Sequence, residues 1–465
     1  MIRLACSVPL FLILLATTLT VSAAELQPVK YVFLFIGDGM APPQRQMAEE
    51  FVQKKENRGL WINAMPHKVP TTTQAANAAV TDSAASGTAI AAGVKTNNGM
   101  LGVLPNGERV ESVAEFAKKN GRKVGIITSV TLTHATPAAF YAHNAGRGNA
   151  YDIGLDLVAS KFDYFGGGGI EKYNDTTAAQ YRGNIHDLAK EAGYTVCRTD
   201  EEVRALKPGV GKAIAIGNAA ALPYTIDGAE GLRLPDFTRQ AIELLDNPNG
   251  FFIMVEGGKI DWACHSNDGA SSIWETIEFD SAVTVAFEFA KKHPNDVLIV
   301  VTGDHETGGL SLGNEGAPQT HVELLANQKA SYDTISSATR RFLRDNNATF
   351  EAFKPVITES FGLVFSATGT RQPGNLILTA DEMKALETSF ATSKAAVQAN
   401  QTEGRDTLTQ TMMRLLNNKA GIYWKGSGHS ALPVQTSTWG NQAAQVAEGI
   451  KDNTDVSKQL MQVVR

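Results

Sequence analysis

Cysteine is scarce in this chain, with three in 465 residues, at Cys6, Cys197 and Cys264. A fold stapled by several disulfides is therefore excluded. An excess of basic residues is also missing. Lysine and arginine total 42 against 48 acidic residues, a net charge of −6. A general nucleic-acid binder needs a cationic face to displace counterions, so that class is disfavoured. Small anionic substrates stay open, because a few placed cations create a local positive well. Beyond Ala24 no apolar run is long enough to cross a bilayer. The glycine run Gly166–Gly169 is not followed by Gly-Lys-Ser/Thr, which removes a nucleotide P-loop and leaves a tight turn after a strand. No internal repeat is present.

What remains is a globular composition, 43% hydrophobic and 19% charged. The N-terminus reads as an export signal. Arg3 supplies the positive start, Leu10–Ala16 the apolar run, and Val21-Ser22-Ala23-Ala24 a small-residue cleavage site. Residues 1–23 are thus expected to be removed and the mature protein to be periplasmic or secreted, with no membrane attachment. The two cysteines left, Cys197 and Cys264, are either bridged or free thiols.

Strand-like apolar runs recur at Tyr31–Ile36, Lys123–Thr128, Phe251–Val255 and Val297–Thr302, without polar alternation. Such runs suit a parallel sheet covered on both faces. Helix-like segments lie between them, for example Ser112–Lys119 and Ser271–Lys292. The expected fold class is α/β, a three-layer sandwich with a central, mainly parallel sheet. From 311 to 420 the chain turns polar and helical, as in Thr379–Leu415. That stretch is expected to be an inserted cap or oligomer contact, with the core made of 24–310 and 421–465.

Each strand runs into a polar cluster, and in open α/β sheets such clusters converge at the carboxyl ends of strands. Ile36 leads to Asp38, Thr128 toward Thr131–Thr136, Val255 to Glu256, and Thr302 to Asp304-His305. The segment Thr81-Asp82-Ser83-Ala84-Ala85 opens a small-residue helix that Gly93 can stop. Taken alone, Asp82-Ser83 is either a simple helix cap or a nucleophile in the positive field of a helix start. Asp261 and His265 are one helical turn apart and could face one metal, zinc being suited to both groups. Cys264 would point elsewhere on that helix. Asp304-His305 ends a buried strand among glycines that permit a sharp turn, and His429 sits in the Gly426-Ser-Gly-His-Ser loop.

The order of these clusters along the chain, from Tyr31 to Pro433, resembles that of alkaline phosphatases, most strongly at Val80-Thr-Asp-Ser-Ala-Ala-Ser-Gly-Thr-Ala. The resemblance implies a phosphomonoesterase with Ser83 as nucleophile, a phosphoserine intermediate and broad leaving-group specificity. It implies two zinc ions, one held by Asp261, His265 and His429, the other by Asp38, Asp304 and His305. A third ion, usually magnesium, would be held by Asp38, Thr136 and Glu256. Arg147 would grip phosphate oxygens, its fork suiting that task better than lysine. The ligands implied are phosphate monoesters and inorganic phosphate, and dimerisation is common in the family. Two positions depart from the best-known bacterial pattern. His134 stands where aspartate is usual and Trp262 where lysine is usual, both expected behind the third metal and around the phosphate. Related activities with the same two-metal core are diesterases, sulfatases and phosphomutases. Ser83 in its Asp-Ser-Ala-Ala-Ser context, with Arg147, favours the monoesterase. A non-catalytic zinc or phosphate scavenger would lack a ligand or the nucleophile, and here every position is filled.

Overall fold

The structure is a computed structural model that describes residues 26–465 apart from 229, 367, 368, 370–372 and 402–406. The export signal expected at 1–23 lies outside the described residues. Among those described, no helix is long and apolar enough to cross a membrane.

Nine strands form one sheet: β1 (Tyr31–Gly37), β2 (His67–Thr71), β3 (Lys123–Thr128), β4 (Tyr164–Gly167), β5 (Tyr194–Cys197), β6 (Lys212–Ile216), β7 (Phe251–Gly257), β8 (Val297–Gly303) and β9 (Val434–Gly440). Their spatial order is β2-β9-β8-β1-β7-β3-β4-β6-β5. From β8 to β5 every pairing is parallel, while β9 runs antiparallel to both β8 and β2. The expected mainly parallel α/β sheet is present, and all four predicted strands belong to its centre. β1, β7 and β8 are buried at every residue, as continuous apolar runs require when helices cover both faces. One face packs Phe33, Phe35, Ile253 and Val301 under the long helix Gly269–Lys292. The other packs Val32, Leu34, Val124 and Phe252 against the helices Val113–Lys119 and Asn453–Val463.

The two antiparallel strands at the margin were not legible beforehand. β2 alternates between partly exposed and exposed positions and carries Lys68 and Pro70, features that suit an edge strand and blunt it against further pairing. Gly166–Gly169 closes β4 and the turn after it. The polar region after β8 holds the helices Tyr332–Leu343, Phe350–Phe361, Ala380–Gln398 and Thr407–Lys419, with short strand pairs between. Their apolar faces, including Phe353, Leu386 and Met412, join the same cluster as Phe33 and Val301. Cys197 and Cys264 are both free and buried.

Arg122, just before β3, ties the chain ends to the sheet. Its guanidinium donates to the carbonyls of Val464 at 2.7 Å, Val29 at 2.5 Å, Lys30 at 2.8 Å and Val463 at 3.2 Å. Removing it strands several carbonyl acceptors at once. Arg122→Ala is expected to cost about 2–3 kcal/mol of stability by denaturant titration, since hydrogen bonds from a charged donor are worth more than neutral ones.

Candidate active site and its metal-ligating clusters

The register of the central strands builds the site. Gly37 of β1 lies beside Gly257 of β7 and Gly303 of β8, so the residues that follow, Asp38, the helix Lys259–His265 and Asp304, emerge side by side. Gly39 makes the close approach possible. Its φ is +71°, and a Cβ there would come within 2.9 Å of Asp261 Cα and of Thr307 Oγ1. Only glycine suits both the left-handed backbone and the missing space.

Ser83 begins the helix Ser83–Ala92, and Asp82 is its N-cap, accepting from Ala85 N at 3.0 Å. The capping and catalytic readings of this segment are therefore compatible. Gly93 ends the helix in the left-handed conformation expected of it. Ser83 is buried, and its Oγ lies 3.3 Å from His305 Nε2.

Around that hydroxyl the sequence-predicted residues gather in three overlapping groups. Asp261, His265 and His429 bring ligand atoms within 4.8 Å of one another, as do Asp38, Asp261 and His305, and Asp38, His134 and Glu256. Asp304 adjoins the second group, its Oδ2 being 3.3 Å from His305 Nε2, while Asp38 Oδ1 is 3.4 Å from the same nitrogen. Thr136 Oγ1 donates to Asp38 Oδ2 at 3.4 Å. His134 stands closer in than expected. Its Nδ1 lies 3.5 Å from Glu256 Oε1 and 3.8 Å from Asp38 Oδ2, in the space between the carboxylates. Trp262 sits behind it, edge-on to the His134 ring at 6.1 Å.

The imidazoles are oriented for lone-pair donation. His265 Nδ1 faces Ser427 O at 2.5 Å and His429 Nδ1 faces Thr81 O at 2.9 Å. A carbonyl only accepts, so each Nδ1 carries a proton and each Nε2 is left to the site. The two Nε2 atoms are 3.2 Å apart, with Asp261 Oδ2 3.1 Å from His265 Nε2. Positive charge is required between such groups.

Burial sharpens that requirement. Asp38, Glu256, Asp304 and His305 are fully buried. Asp38 Oδ1, Glu256 Oε1, Asp304 Oδ2 and His134 Nδ1 are buried with no hydrogen-bond partner, which is costly unless a cation occupies the space they face. Burial, reinforced by Asp304, Asp261 and Glu256, pushes the Asp38 carboxyl well above its ordinary range. Asp304 is pushed up to about 8 by burial, against the Gly39 amide that donates to it. Burial and the neighbouring His429 drive His305 well below the usual imidazole value, which keeps it neutral. Burial would also raise Asp261, but the adjacent His265 and the nearby His305 and His429 imidazoles hold it below the usual range. These donors, imidazole and carboxylate with unsatisfied lone pairs aimed at shared space, fit divalent cations.

Arg147 is ion-paired with Asp82. Its Nη1 lies 3.0 Å from Asp82 Oδ2, which places the guanidinium beside the start of the Ser83 helix. Cys264 is buried with Sγ 3.4 Å from Ser272 Oγ and belongs to none of the three ligand groups. Two supporting residues escaped sequence reasoning. Glu306 is buried and accepts from Gln44 Nε2 at 2.9 Å, Gly309 N and Leu310 N at 3.1 Å, and the Ser430 hydroxyl. It thereby fixes the short antiparallel pairing of Glu306–Thr307 with His429–Ser430. Thr307 Oγ1 donates to Asp261 Oδ1 at 2.5 Å. Both follow Asp304-His305 directly, so their proximity in sequence was the available signal.

The family profile described as alkaline phosphatase matches residues 29–465. Alkaline phosphatase 4 of Bacillus subtilis is 31% identical over 401 residues, covering 83% of this chain and 77% of that one. Among solved structures, the cold-active alkaline phosphatase of a psychrophilic Shewanella superposes with a TM-score of 0.78 at 26% identity, covering 94% of this chain and all of that one. The alkaline phosphatase of Thermus thermophilus, at 23% identity and a TM-score of 0.78, shares the fold over 94% of this chain and 91% of its own. With a whole-length profile match behind it and a matching sheet around it, this chain belongs to the alkaline phosphatase family and is a phosphoric monoester hydrolase.

Proposed function

We propose that the chain cleaves phosphate monoesters through a phosphoserine at Ser83, using two zinc ions and one magnesium. The observation that carries this reading is the convergence of three imidazole and carboxylate groups beside one buried hydroxyl. Asp261, His265 and His429 would hold one zinc, and Asp38, Asp304 and His305 the other. Asp38, Thr136 and Glu256 would hold magnesium, with His134 close enough to join or displace a water there. When bound, such cations supply Lewis-acid charge to phosphoryl oxygens and ease deprotonation of hydroxyl groups.

The chain's own residues do the rest. Ser83 Oγ is positioned to attack phosphorus, and the P–O bond to the alcohol breaks as the Ser83 O–P bond forms. Water then attacks the phosphoserine, releasing inorganic phosphate and restoring the hydroxyl. The Ser83 helix start offers backbone N–H groups and a positive field to the phosphoryl anion. Asp82 caps that helix and orients Arg147, so the guanidinium can swing onto phosphate oxygens by exchanging one carboxylate contact. Few of these groups read the alcohol, which supports broad leaving-group specificity. Trp262 substitutes an uncharged ring for a cation. Lys259, whose Nζ lies 5.7 Å from that ring, is committed to the Leu222 carbonyl at 2.8 Å and to the Tyr224 face at 3.5 Å. Export of the chain, a cap role for 311–420 and assembly as a homodimer belong to the same proposal.

Chelation should abolish hydrolysis of an aryl phosphate at alkaline pH, with zinc and magnesium together restoring it. Ser83→Ala in the metal-replete protein should lower kcat by about 10³-fold or more. Residual turnover of the chelated protein at the original rate would end the reading. Trp262→Lys should tighten inhibition by inorganic phosphate, measured as a lower inhibition constant. A third outcome follows from linkage. Without metals, Asp38 and Asp304 hold protons in the folded chain that they lose on unfolding, because they are raised above the ordinary carboxylate value of 3.8, Asp304 to about 8, and these two outweigh the lowered His305, which acts with the opposite sign. The chain's stability from these two carboxyls is therefore fully present below the ordinary value and lost as pH rises toward 8. Thermal melts of chelated protein from pH 5 to 8 should show a falling midpoint, with the largest recovery on adding zinc at the alkaline end.

A further inference from the structure

Arg147 stands on an irregular segment, 143–147, between the short helix Ala135–Ala138 and the helix Ala150–Ser160. A second irregular segment, 99–102, is hydrogen-bonded both to this one and to the Ser83 helix. Toward the helix, Gly99 N donates to Asp82 Oδ2 at 3.0 Å and Gly102 N to Thr88 Oγ1 at 3.0 Å. Thr88 Oγ1 in turn donates to the Met100 carbonyl at 3.3 Å. Toward Arg147, its own backbone N–H donates to the Gly99 carbonyl at 2.8 Å. Asn144 and Leu101 exchange N–H···O bonds, both at 2.8 Å, in an antiparallel bridge. Asp82 closes one end of this ladder, its Oδ2 accepting from Gly99 N and from Arg147 Nη1.

The other end is held by His143. Its Nδ1 donates to the Gly102 carbonyl at 2.8 Å, since a carbonyl only accepts. Nε2 meets Glu115 Oε1 at 3.1 Å, on the helix Val113–Lys119. The backbone N–H of His143 donates to Asp156 Oδ2 at 3.0 Å, on the helix Ala150–Ser160. Glu115 is itself fixed, its Oε2 accepting from Ser112 N at 2.9 Å, and Ser112 Oγ donates to the Phe140 carbonyl at 2.6 Å. Gly102 admits the ring. Its φ is +57°, and a Cβ there would fall 2.1 Å from the Ala142 carbonyl oxygen and 2.8 Å from His143 Nδ1. His143 belongs to none of the metal-ligating groups.

A short pairing that contains Gly99 and Gly102 has few side chains to enforce its register. Slipping it by one residue would carry Arg147 about 3.3 Å along the Ser83 helix. Displacements smaller than that already separate a charge from the oxygen it should grip. We propose that His143 is a positioning residue for Arg147. By bonding the Gly102 carbonyl while Glu115 and Asp156 hold it from two helices, it locks 143–147 against 99–102 and so sets where the guanidinium stands beside Ser83. The proposal rests on the phosphate-gripping role given to Arg147 above and adds the residue that places it.

The test uses the full-length, metal-replete protein with an aryl phosphate as substrate and inorganic phosphate as inhibitor. His143→Ala should lower kcat/KM about tenfold and raise the inhibition constant of phosphate by a similar factor, with bound metal unchanged. In an Arg147→Ala background the same substitution should change neither quantity, because the group it positions is gone. A general loss of structure would instead act in both backgrounds. Two near-isosteric variants locate the contact and carry the same test should His143→Ala not fold. His143→Asn keeps a donor where Nδ1 stood and should retain most of the wild-type values. His143→Gln puts its donor where Nε2 stood, toward Glu115, and should behave as His143→Ala does. Unchanged kinetics in His143→Gln, loss of bound metal, an effect that persists undiminished without Arg147, or rescue by Gln and not by Asn overturns the proposal. If Arg147→Ala alone alters neither quantity, the role given to Arg147 fails and this proposal with it. Absence of turnover in the wild type would defeat the monoesterase reading itself.

Discussion

Anionic oxygens and imidazole lone pairs gathered in a dry place need positive charge, and the organisation of this protein follows from meeting that need. Asp38, Glu256 and Asp304 have no exposure to solvent, and each presents an oxygen with no hydrogen-bond partner. Water cannot screen such groups, so each negative charge raises the cost of the next. The raised carboxyls of Asp38 and Asp304 and the depressed imidazole of His305 express one condition. The chain alone would protonate the acids and keep the histidine neutral, whereas divalent cations would let all of them act as ligands together.

The fold makes this arrangement affordable by placing it where three buried parallel strands end. Strands β1, β7 and β8 keep register through Gly37, Gly257 and Gly303, so their following residues start level. Small residues at the turn then allow backbone and side chains from different segments to touch, as Gly39 does against Asp261 and Gly303 against the Met40 carbonyl. Backbone carbonyls hold the outer nitrogens of His265 and His429, and Glu306 braces the loop that delivers His429. Rigid support of this sort orients ligands before any ion arrives.

His134 stands between the carboxylates of the third group, which come from the ends of β1 and β7, and Trp262 lies edge-on behind it. The helices between Tyr332 and Lys419 pack apolar residues such as Phe353, Leu386 and Met412 onto the core.

Much was legible in the order of residues. Continuous apolar runs with β-branched residues specify central parallel strands through local preference and burial alone, so Tyr31, Val124, Phe252 and Val297 were readable as strand residues. Asp82-Ser83 before an alanine-rich run and Gly93 after it mark a helix by capping chemistry that operates within a few residues. Contacts between distant segments were decided by tertiary packing. The edge strand His67–Thr71 has no apolar run and exists because β9 pairs with it. His134 enters the space between Asp38 and Glu256 because the β3 and β7 ends adjoin, and Arg147 meets Asp82 rather than open solvent. Sequence specifies short-range backbone preference and which residues seek burial. Which lone pairs come to face one another depends on strand order and register, and those emerge only when the whole sheet has closed.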